Sequence, residues 1–550
     1  MRSAHPRALL ATACVAVALA AADTYVVVLA LTDMMAGVGL GVDALQKATP
    51  IVSGFLVGYI CVLPLVGRLA DLVDRRRVLL ACLAIFVVGS GLTALAVELP
   101  VLVTGRVFQG VGGGGLVPAT LAIVASSWPP DRRGLPLGVV GAVQEVGSVL
   151  GPVLGALILA VWDWRAIFWV GAALGIVLVF TVIGVDGRWR LARPSLAAIS
   201  TATGLAVLGL ALAAPEPLVT SITLGIPFVP FGQATSRLAT PVGTVALGLL
   251  LAAFALSVRR WLPVLRRADL PGALLLGGAL GCVVVTFAAA DPAKEVVGAV
   301  GGGLLPAAVV LGILYAVRHR RAAEPLIARG LVRGRAAWAL AVSACVGVAL
   351  VAIVVDVPLL ARLLLSDTVS AGAQVETEAA LVLVRFLIAV PIGALVGGWL
   401  LRWVGDGLVA APGLALTCGA MLAMTGWGRG AFDAPSATLV LVLAGLGLGL
   451  TLAPVNNAAL ASAGPSELAT VSSLVVVARM VGMVVGLALL TAIGLRQYYS
   501  AVAELPDRTD PVALVDAAIL QVHGVFQGAA LVAGVGAVAA LRLGWVRRRA

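Results

Sequence analysis

Sixteen apolar stretches, each about as long as a bilayer is thick, follow one another along this chain. They run roughly over 8–31, 50–67, 78–97, 100–125, 135–160, 166–185, 197–214, 239–257, 270–290, 298–317, 336–357, 379–401, 407–425, 437–462, 467–495 and 523–545. A helix needs ~20 apolar residues to cross the ~30 Å hydrocarbon layer. Inside that layer the backbone must satisfy its own hydrogen bonds, so such segments become helices. The expected fold is an all-α polytopic membrane protein. With 61% of its 550 residues hydrophobic and 11% charged, the chain lacks the polar surface of a soluble protein. Arg2 and Arg7 before the first run resemble the start of a signal peptide. The run is too long for one and contains Asp23, so it reads as the first helix.

The net charge of +11 does not point to nucleic acid, because the basic residues lie in short clusters between apolar runs. With the N-terminus in the cytoplasm, alternation puts most of the 37 basic residues on the cytoplasmic side. Among them are Arg75–Arg77, Arg132–Arg133, Arg188, Arg190, Arg193, Arg259–Arg260, Arg266–Arg267, Arg318, Arg320, Arg321 and Arg547–Arg549; Lys47 and Lys294 fall outside. That asymmetry predicts an even helix count and two cytoplasmic termini. Sixteen is the count read; losing one pair would give fourteen with the same pattern. The six cysteines sit inside apolar runs and the three histidines are scattered, so no disulfide framework or metal site is expected. No phosphate-binding Gly-Lys-Ser/Thr loop occurs. The chain reads as a carrier rather than an enzyme, without cofactor, in the plasma membrane.

The organisation expected is a six-helix half over 1–185, extra helices with basic loops over 186–335, and a second six-helix half over 336–550. Carriers commonly place their site between two such halves. The outer loops 215–238 and 496–522 are long, but neither could form a soluble domain.

Ionisable groups at mid-membrane are expensive and so become functional candidates. At ~1.5 Å per residue, Glu145 lies about 15 Å deep, Arg479 about 18 Å and Asp23 about 22 Å from the cytoplasmic end. Two acids competing for one arginine would form a proton-responsive cluster, since a guanidinium favours the carboxylate and burial favours the acid. The competing reading is a static ion pair between helices. Arg106 and Gln109 precede a glycine run, Gly110 and Gly112–Gly115, that permits close helix approach. Gln144, Asp356, Arg385, Asn456 and Asn457 are candidate polar residues of a cavity; Asp356 and Arg385 could equally reach the interface.

Several motifs resemble the major facilitator superfamily. Gly67-Arg-Leu-Ala-Asp71-Leu-Val-Asp74-Arg75-Arg76-Arg77 resembles its signature loop between helices two and three, departing from it at Leu72 and Asp74. The Arg106–Gly115 stretch resembles the helix-four motif, whose arginine that family links to proton transfer. Gly147-Ser-Val-Leu-Gly151-Pro152-Val-Leu-Gly155 resembles the helix-five antiporter motif, in which proline and glycines set a stiff, closely packed bend. Trp162–Trp169 resembles the start of helix six in the drug:proton antiporter branch with extra central helices. More narrowly, the stretches around Asp23, Gln144-Glu145 and Arg479-Met-Val-Gly-Met resemble actinobacterial triacylglyceride exporters.

That resemblance implies proton-coupled export of lipid from inner membrane to periplasm, with Asp23, Glu145 and Arg479 as the coupling network. It also implies a periplasmic lipid-carrying lipoprotein as partner, and last helices that outrun the membrane. Efflux of amphipathic drugs by the same coupling is the alternative. A non-transporting scramblase or sensor fits the acid–base trio less well.

Overall fold

The computed structural model describes residues 6–41, 45–186, 195–221, 223–232, 236–288, 301–365, 372–508 and 510–544. Arg188, Arg190, Arg193, Lys294 and Arg547–Arg549 of the charge pattern lie outside them. Among the described residues there is no strand, and sixteen helices are long and apolar enough to cross a membrane. They are α1 Pro6–Gly37, α2 Leu45–Leu72, α3 Arg75–Leu95, α4 Leu99–Ser127, α5 Gly134–Leu159, α6 Trp164–Asp186, α7 Leu196–Ala213, α8 Pro241–Arg267, α9 Leu270–Ala288, α10 Gly301–Arg321, α11 Arg335–Leu365, α12 Gly372–Leu400, α13 Asp406–Met424, α14 Pro435–Leu460, α15 Leu468–Glu504 and α16 Pro511–Ala540.

The end of the bundle where α1 begins is here called the base, and the opposite end the crown. Odd helices climb and even ones descend, so α16 returns to the base. There the Gly407 N–H, at the start of α13, donates to the Gly544 carbonyl at 2.9 Å. Side chains cap several helix starts. Asp74 accepts from the Arg76 N–H, Ser195 from Ala198, Thr240 from Gly243 and Asp510 from Val512.

The outer loop expected over 496–522 is not present. Helix α15 runs to Glu504 and α16 starts at Pro511. At 37 residues, α15 is ~55 Å long, well beyond a ~30 Å layer. Polar side chains at Arg496, Gln497 and Ser500 end the hydropathy signal there, but backbone bonding continues through them. The other long loop stays a loop, with short helical turns at Glu216–Val219, Ile226–Phe228 and Arg237–Ala239 among its described residues.

Helices α1–α6 and α11–α16 pack by one scheme. In the first group α4 lies against α2 and α3, α5 against α1, and α6 against α3 and α1. In the second, α14 lies against α12 and α13, α15 against α11, and α16 against α13 and α11. Glycines fix the register of this correspondence. Gly110 meets the Phe55 carbonyl and Gly114 that of Tyr59; 335 residues on, Gly445 meets the Phe386 carbonyl and Gly449 that of Val390. Gly147 packs on Ala18 as Gly482 packs on Ala344.

The groups touch along two seams, α2 on α15 and α5 on α12. At the base both seams close on glycine. A Cβ at Gly67 would strike Ser473 and the Ala469 carbonyl, and one at Gly398 would lie 2.6 Å from the Gly134 carbonyl oxygen.

The extra helices form two hairpins. Helices α7 and α8 pack on each other and touch α3 and α2 lightly. Helix α9 packs on α2 and, less, on α15, while α10 packs on α9. Gly277 and Gly281 let α9 approach the Cys61 carbonyl and Sγ. With 6% of its span buried, α10 sits at the perimeter and presents Val309, Val310, Ile313 and Leu314 outward. Buried Asp269, in the left-handed region at φ 53°, ties the second hairpin down at the base. Its carboxylate accepts from Arg318 Nε at 2.9 Å, from the Gly272 N–H at 3.2 Å and from the Leu326 N–H at 3.2 Å.

Candidate functional site

Two buried ion pairs occupy the middle of the bundle. The first lies within the first helix group. Asp23 on α1 accepts from Arg106 Nη1 on α4 at 2.7 Å and from Gln109 Nε2 at 3.1 Å. Gln109 also donates to Ser90 Oγ at 2.9 Å, and its Oε1 accepts from Arg106 Nη1 at 2.9 Å and Thr93 Oγ1 at 3.2 Å. Both amide donors and both acceptor positions are thus used. Arg106 is 1% exposed and its guanidinium stands 4.6 Å from the Phe55 ring centroid. Gly89 and Gly105 bring α3 and α4 close enough for this network, since a Cβ at either would strike the opposite backbone.

The second pair crosses between the groups. Arg479 Nη1 on α15 lies 3.6 Å from Glu145 Oε1 on α5, both buried. That separation is charge contact rather than a hydrogen bond. The two acids therefore do not share Arg479, as depth alone had led us to expect. Asp23 lies about two turns nearer the crown than Glu145, since Gly147 packs on Ala18 and Gly151 on Ala22, and α1 presents it to α4, where Arg106 takes it.

Above the second pair a cavity of about 310 Å³ opens between α1, α2, α4, α5, α9, α11 and α15. Its wall is largely apolar, with Leu350, Val351, Met483, Val484 and Leu487 from the second group and Val52, Phe55 and Leu56 from the first. Glu145, Arg479, Gln144, Thr24, Ser148 and Tyr59 supply its polar atoms, and α9 contributes Phe287. On the base side of Arg479 lies a second, smaller pocket of about 30 Å³ that includes Gln144, Asn456 and Arg479 in its wall. Of the other cavity candidates, Asn457, Asp356 and Arg385 line neither space. Asp356 is 7% exposed on α11, and Arg385 donates to Thr438 Oγ1 at 2.9 Å.

At the base, side chains hold the seams that the glycines close. Asp71, at the end of α2, accepts from the Ala469 N–H at 2.9 Å, the Thr470 N–H at 2.8 Å and Thr470 Oγ1 at 2.7 Å. It thereby caps the N-terminus of α15, where exposed donors and the helix dipole favour an anion. Arg75 reaches the Pro465 carbonyl at 3.4 Å. Arg76 donates its backbone N–H to Asp74 at 2.8 Å.

A second tie was not foreseen. Arg133, before α5, donates from Nε to Asn457 Oδ1 at 2.8 Å; Asn457 Nδ2 donates to Asp406 at 2.7 Å, and Asp406 also pairs with Arg335. Burial lowers the pKa of Arg133, Asp406 opposes that shift and Arg335 adds to it. Along α5, Gly147, Gly151 and Gly155 seat the helix on Ala18, Ala22 and Val26, and Pro152 lies within the unbroken helix.

Sequence reasoning also missed Gly134, Gly138 and Gly398. The available signal was internal. Shifted by 331 or 335 residues, the first group's close-approach positions fall on Gly398, Gly445, Gly447 and Gly449. Under the same shift Asp71 corresponds to Arg402, which stacks on Trp399 and Trp403 instead, at 4.6 and 4.1 Å.

The model of the family described as Major Facilitator Superfamily matches residues 13–317. Similar curated proteins include a triacylglyceride transporter of Mycolicibacterium hassiacum, 35% identical over 88% of this chain and 78% of that protein. Another, from Mycolicibacterium smegmatis, is 32% identical over 96% and 85%. A third, from Mycobacterium tuberculosis, is 33% identical over 90% and 84%. Among solved structures, a proton:xylose symporter superposes with a TM-score of 0.55 at 12% identity, covering 97% of this chain and 94% of that one. The human organic anion transporter does so with 0.54 at 15% identity, covering 96% and 99%. Both resemblances read from the motifs agree with these matches.

Proposed function

This chain belongs to the major facilitator superfamily, and from that premise we propose that it is a proton-coupled exporter of triacylglycerides, lifting them from the cytoplasmic membrane toward the periplasmic side. The observation that carries the reading is the Glu145–Arg479 pair, which bridges the two helix groups in the wall of an apolar cavity. A triacylglyceride has long acyl chains and no charge. An apolar wall with few polar atoms suits it. The names of the mycobacterial relatives support the substrate class.

In this reading the base is cytoplasmic, as its arginine clusters favour, and the six-helix groups over 1–185 and 336–550 rock about the site. The glycine seams, the Asp71 cap and the Arg133–Asn457 tie hold the base shut. A proton taken by Glu145 from the periplasmic side neutralises the carboxylate. Arg479 then loses its counter-charge, and the groups are freed to reopen at the base. Asp23, Arg106 and Gln109 lie within one group, so the rocking leaves their pairing intact. Their role is to keep α1 and α4 one rigid body, with Asp23 as the second protonatable carboxylate. The long α15, which lines the cavity with Met483, Val484 and Leu487, continues past the membrane as a track for an acyl chain toward a lipid-carrying lipoprotein.

The test is transport of a fluorescent triacylglyceride in vesicles reconstituted with the protein. An imposed pH gradient should accelerate its movement, and Glu145→Gln should remove that acceleration. A rate indifferent to the gradient overturns proton coupling. The rings of Phe55, Tyr59 and Phe287 in the same wall as Glu145 would also hold a lipophilic cation. Gradient-driven movement of a cationic dye, with no movement of lipid, would replace lipid export with drug efflux.

A further inference from the structure

The small pocket beneath Arg479 has no place in the reading above. Its polar wall comes from Gln144 on α5, Ser343 on α11, Thr451 and Asn456 on α14, and Arg479 on α15. Ser343 and Thr451 already donate their hydroxyls to backbone carbonyls, at 2.7 Å to Val475 and 2.6 Å to Leu448. The Asn456 amide donates to the Leu452 carbonyl at 2.9 Å, which leaves its Oδ1, buried and without a partner, in the pocket wall. A buried carbonyl oxygen without a donor is costly. The rest of the wall is valine, leucine and glycine, and the space of about 30 Å³ holds about two waters against these polar groups at the ~10–15 Å³ each requires.

Gln144, Arg479 and Val117 line both this pocket and the 310 Å³ cavity. They form a partition, with Glu145 on the cavity side and Asn456 on the base side. The next residue on α14, Asn457, belongs to the base network with Arg133, Asp406 and Arg335. Polar groups thus extend from mid-membrane to the base along one helix. The charged or titratable groups facing the partition are Glu145 from α5, Arg479 from α15 and Tyr59 from α2. Helices α4, α11 and α14 add none to the pocket.

We propose that this pocket is a water site and the inner leg of the proton route, through which Glu145 releases its proton toward the base past the Gln144–Arg479 partition. The inference rests on the proton-coupled reading. The Glu145 carboxylic acid gives its proton to water, leaving a carboxylate that pairs with Arg479 and a hydronium ion. The excess proton moves along the pocket waters beside Asn456 and Gln144 and leaves at the base, with Asp406 as the last carboxylate on its way. No other co-reactant is needed. The 3.6 Å pair is the state after release.

Asn456→Leu and Asn456→Ser separate the outcomes in reconstituted vesicles with an internal pH-sensitive dye. Leucine fills the pocket and removes the acceptor; serine keeps a polar, hydrated space. The expected result is a fall of at least tenfold in gradient-driven transport and proton flux for Asn456→Leu, with a raised solvent deuterium isotope effect. Asn456→Ser should stay within a few-fold of wild type. Lipid counterflow without a gradient should persist in both, because Asn456 lies outside the large cavity. Asn456→Leu protein as fast as wild type under a gradient overturns the proposal. Should Asn456→Leu fail to insert, Asn456→Val removes the same acceptor with less bulk and makes the same comparison, and an unchanged rate there overturns it equally. A wild-type protein that ignores the gradient shows itself before any variant is made, and removes the proton-coupled reading instead.

Discussion

Arg479 on α15 and Glu145 on α5, 3.6 Å apart, form the buried ion pair that joins the two helix groups among the described residues. The other mid-membrane pair, Asp23–Arg106, lies within one group. In the rocking proposed above, the first would be made and broken and the second would not.

This difference predicts unlike phenotypes. Glu145→Gln should abolish gradient-driven transport while the protein stays folded, because Arg479 faces a cavity that water can enter. Arg106→Leu should instead destabilise the protein. It leaves Asp23 buried without a partner, a change worth ~3–5 kcal/mol when a buried pair is broken. Thermal melting in detergent, beside transport, checks both. Equal melting temperatures for the two variants would contradict the division.

Removing the α15 cap should loosen the base. Asp71→Ala withdraws the acceptor of three hydrogen bonds, and helix caps are worth ~0.5–2 kcal/mol. The base-closed population should fall by ~2- to 30-fold relative to the open one. Labelling of a cysteine placed at Ser473, in a background without the native cysteines, reads that shift.

Filling the opposite seam should have a larger effect. A side chain at Gly398 puts its Cβ within 2.6 Å of the Gly134 carbonyl oxygen, which packed atoms do not tolerate. Gly398→Leu protein should insert normally yet fail to close at the base. It should show high labelling there and transport reduced to background. Wild-type transport would mean that this seam need not close.

Arg402→Asp makes the seams alike. It places a carboxylate at the position equivalent to Asp71, near the N-terminus of α5. The expected outcome is a slower carrier that rests base-closed, with labelling at the base below wild type. Faster transport would count against that assignment of the seam.

Much of this architecture was legible beforehand, and the limits were physical. Apolar length marked all sixteen helices, because the hydrocarbon layer imposes it. It left the end of α15 open between about 495 and about 500, where polar side chains begin but the helix runs on to Glu504. Depth singled out Asp23, Glu145 and Arg479, since rise per residue is constant. Partnership depends on which helix each side chain faces, so depth wrongly gave Asp23 to Arg479. The base network of Arg133, Asn457 and Asp406 escaped notice because its members lie up to 324 residues apart. The repeat was present in the glycines, but they serve as spacers, and only the packing reveals which spacing matters.

The register of that repeat bears on the symmetry of the central pair. Gly147 matches Gly482, so Gln144 and Arg479 occupy equivalent places, and so do Glu145 and Met480. Two identical halves facing one another would make such a contact twice, residue i on j and j on i. Here Met480 stands where a second acid would be and Gln144 where a second base would be. The helix halves share their packing, yet a single acid faces a single base across the central axis.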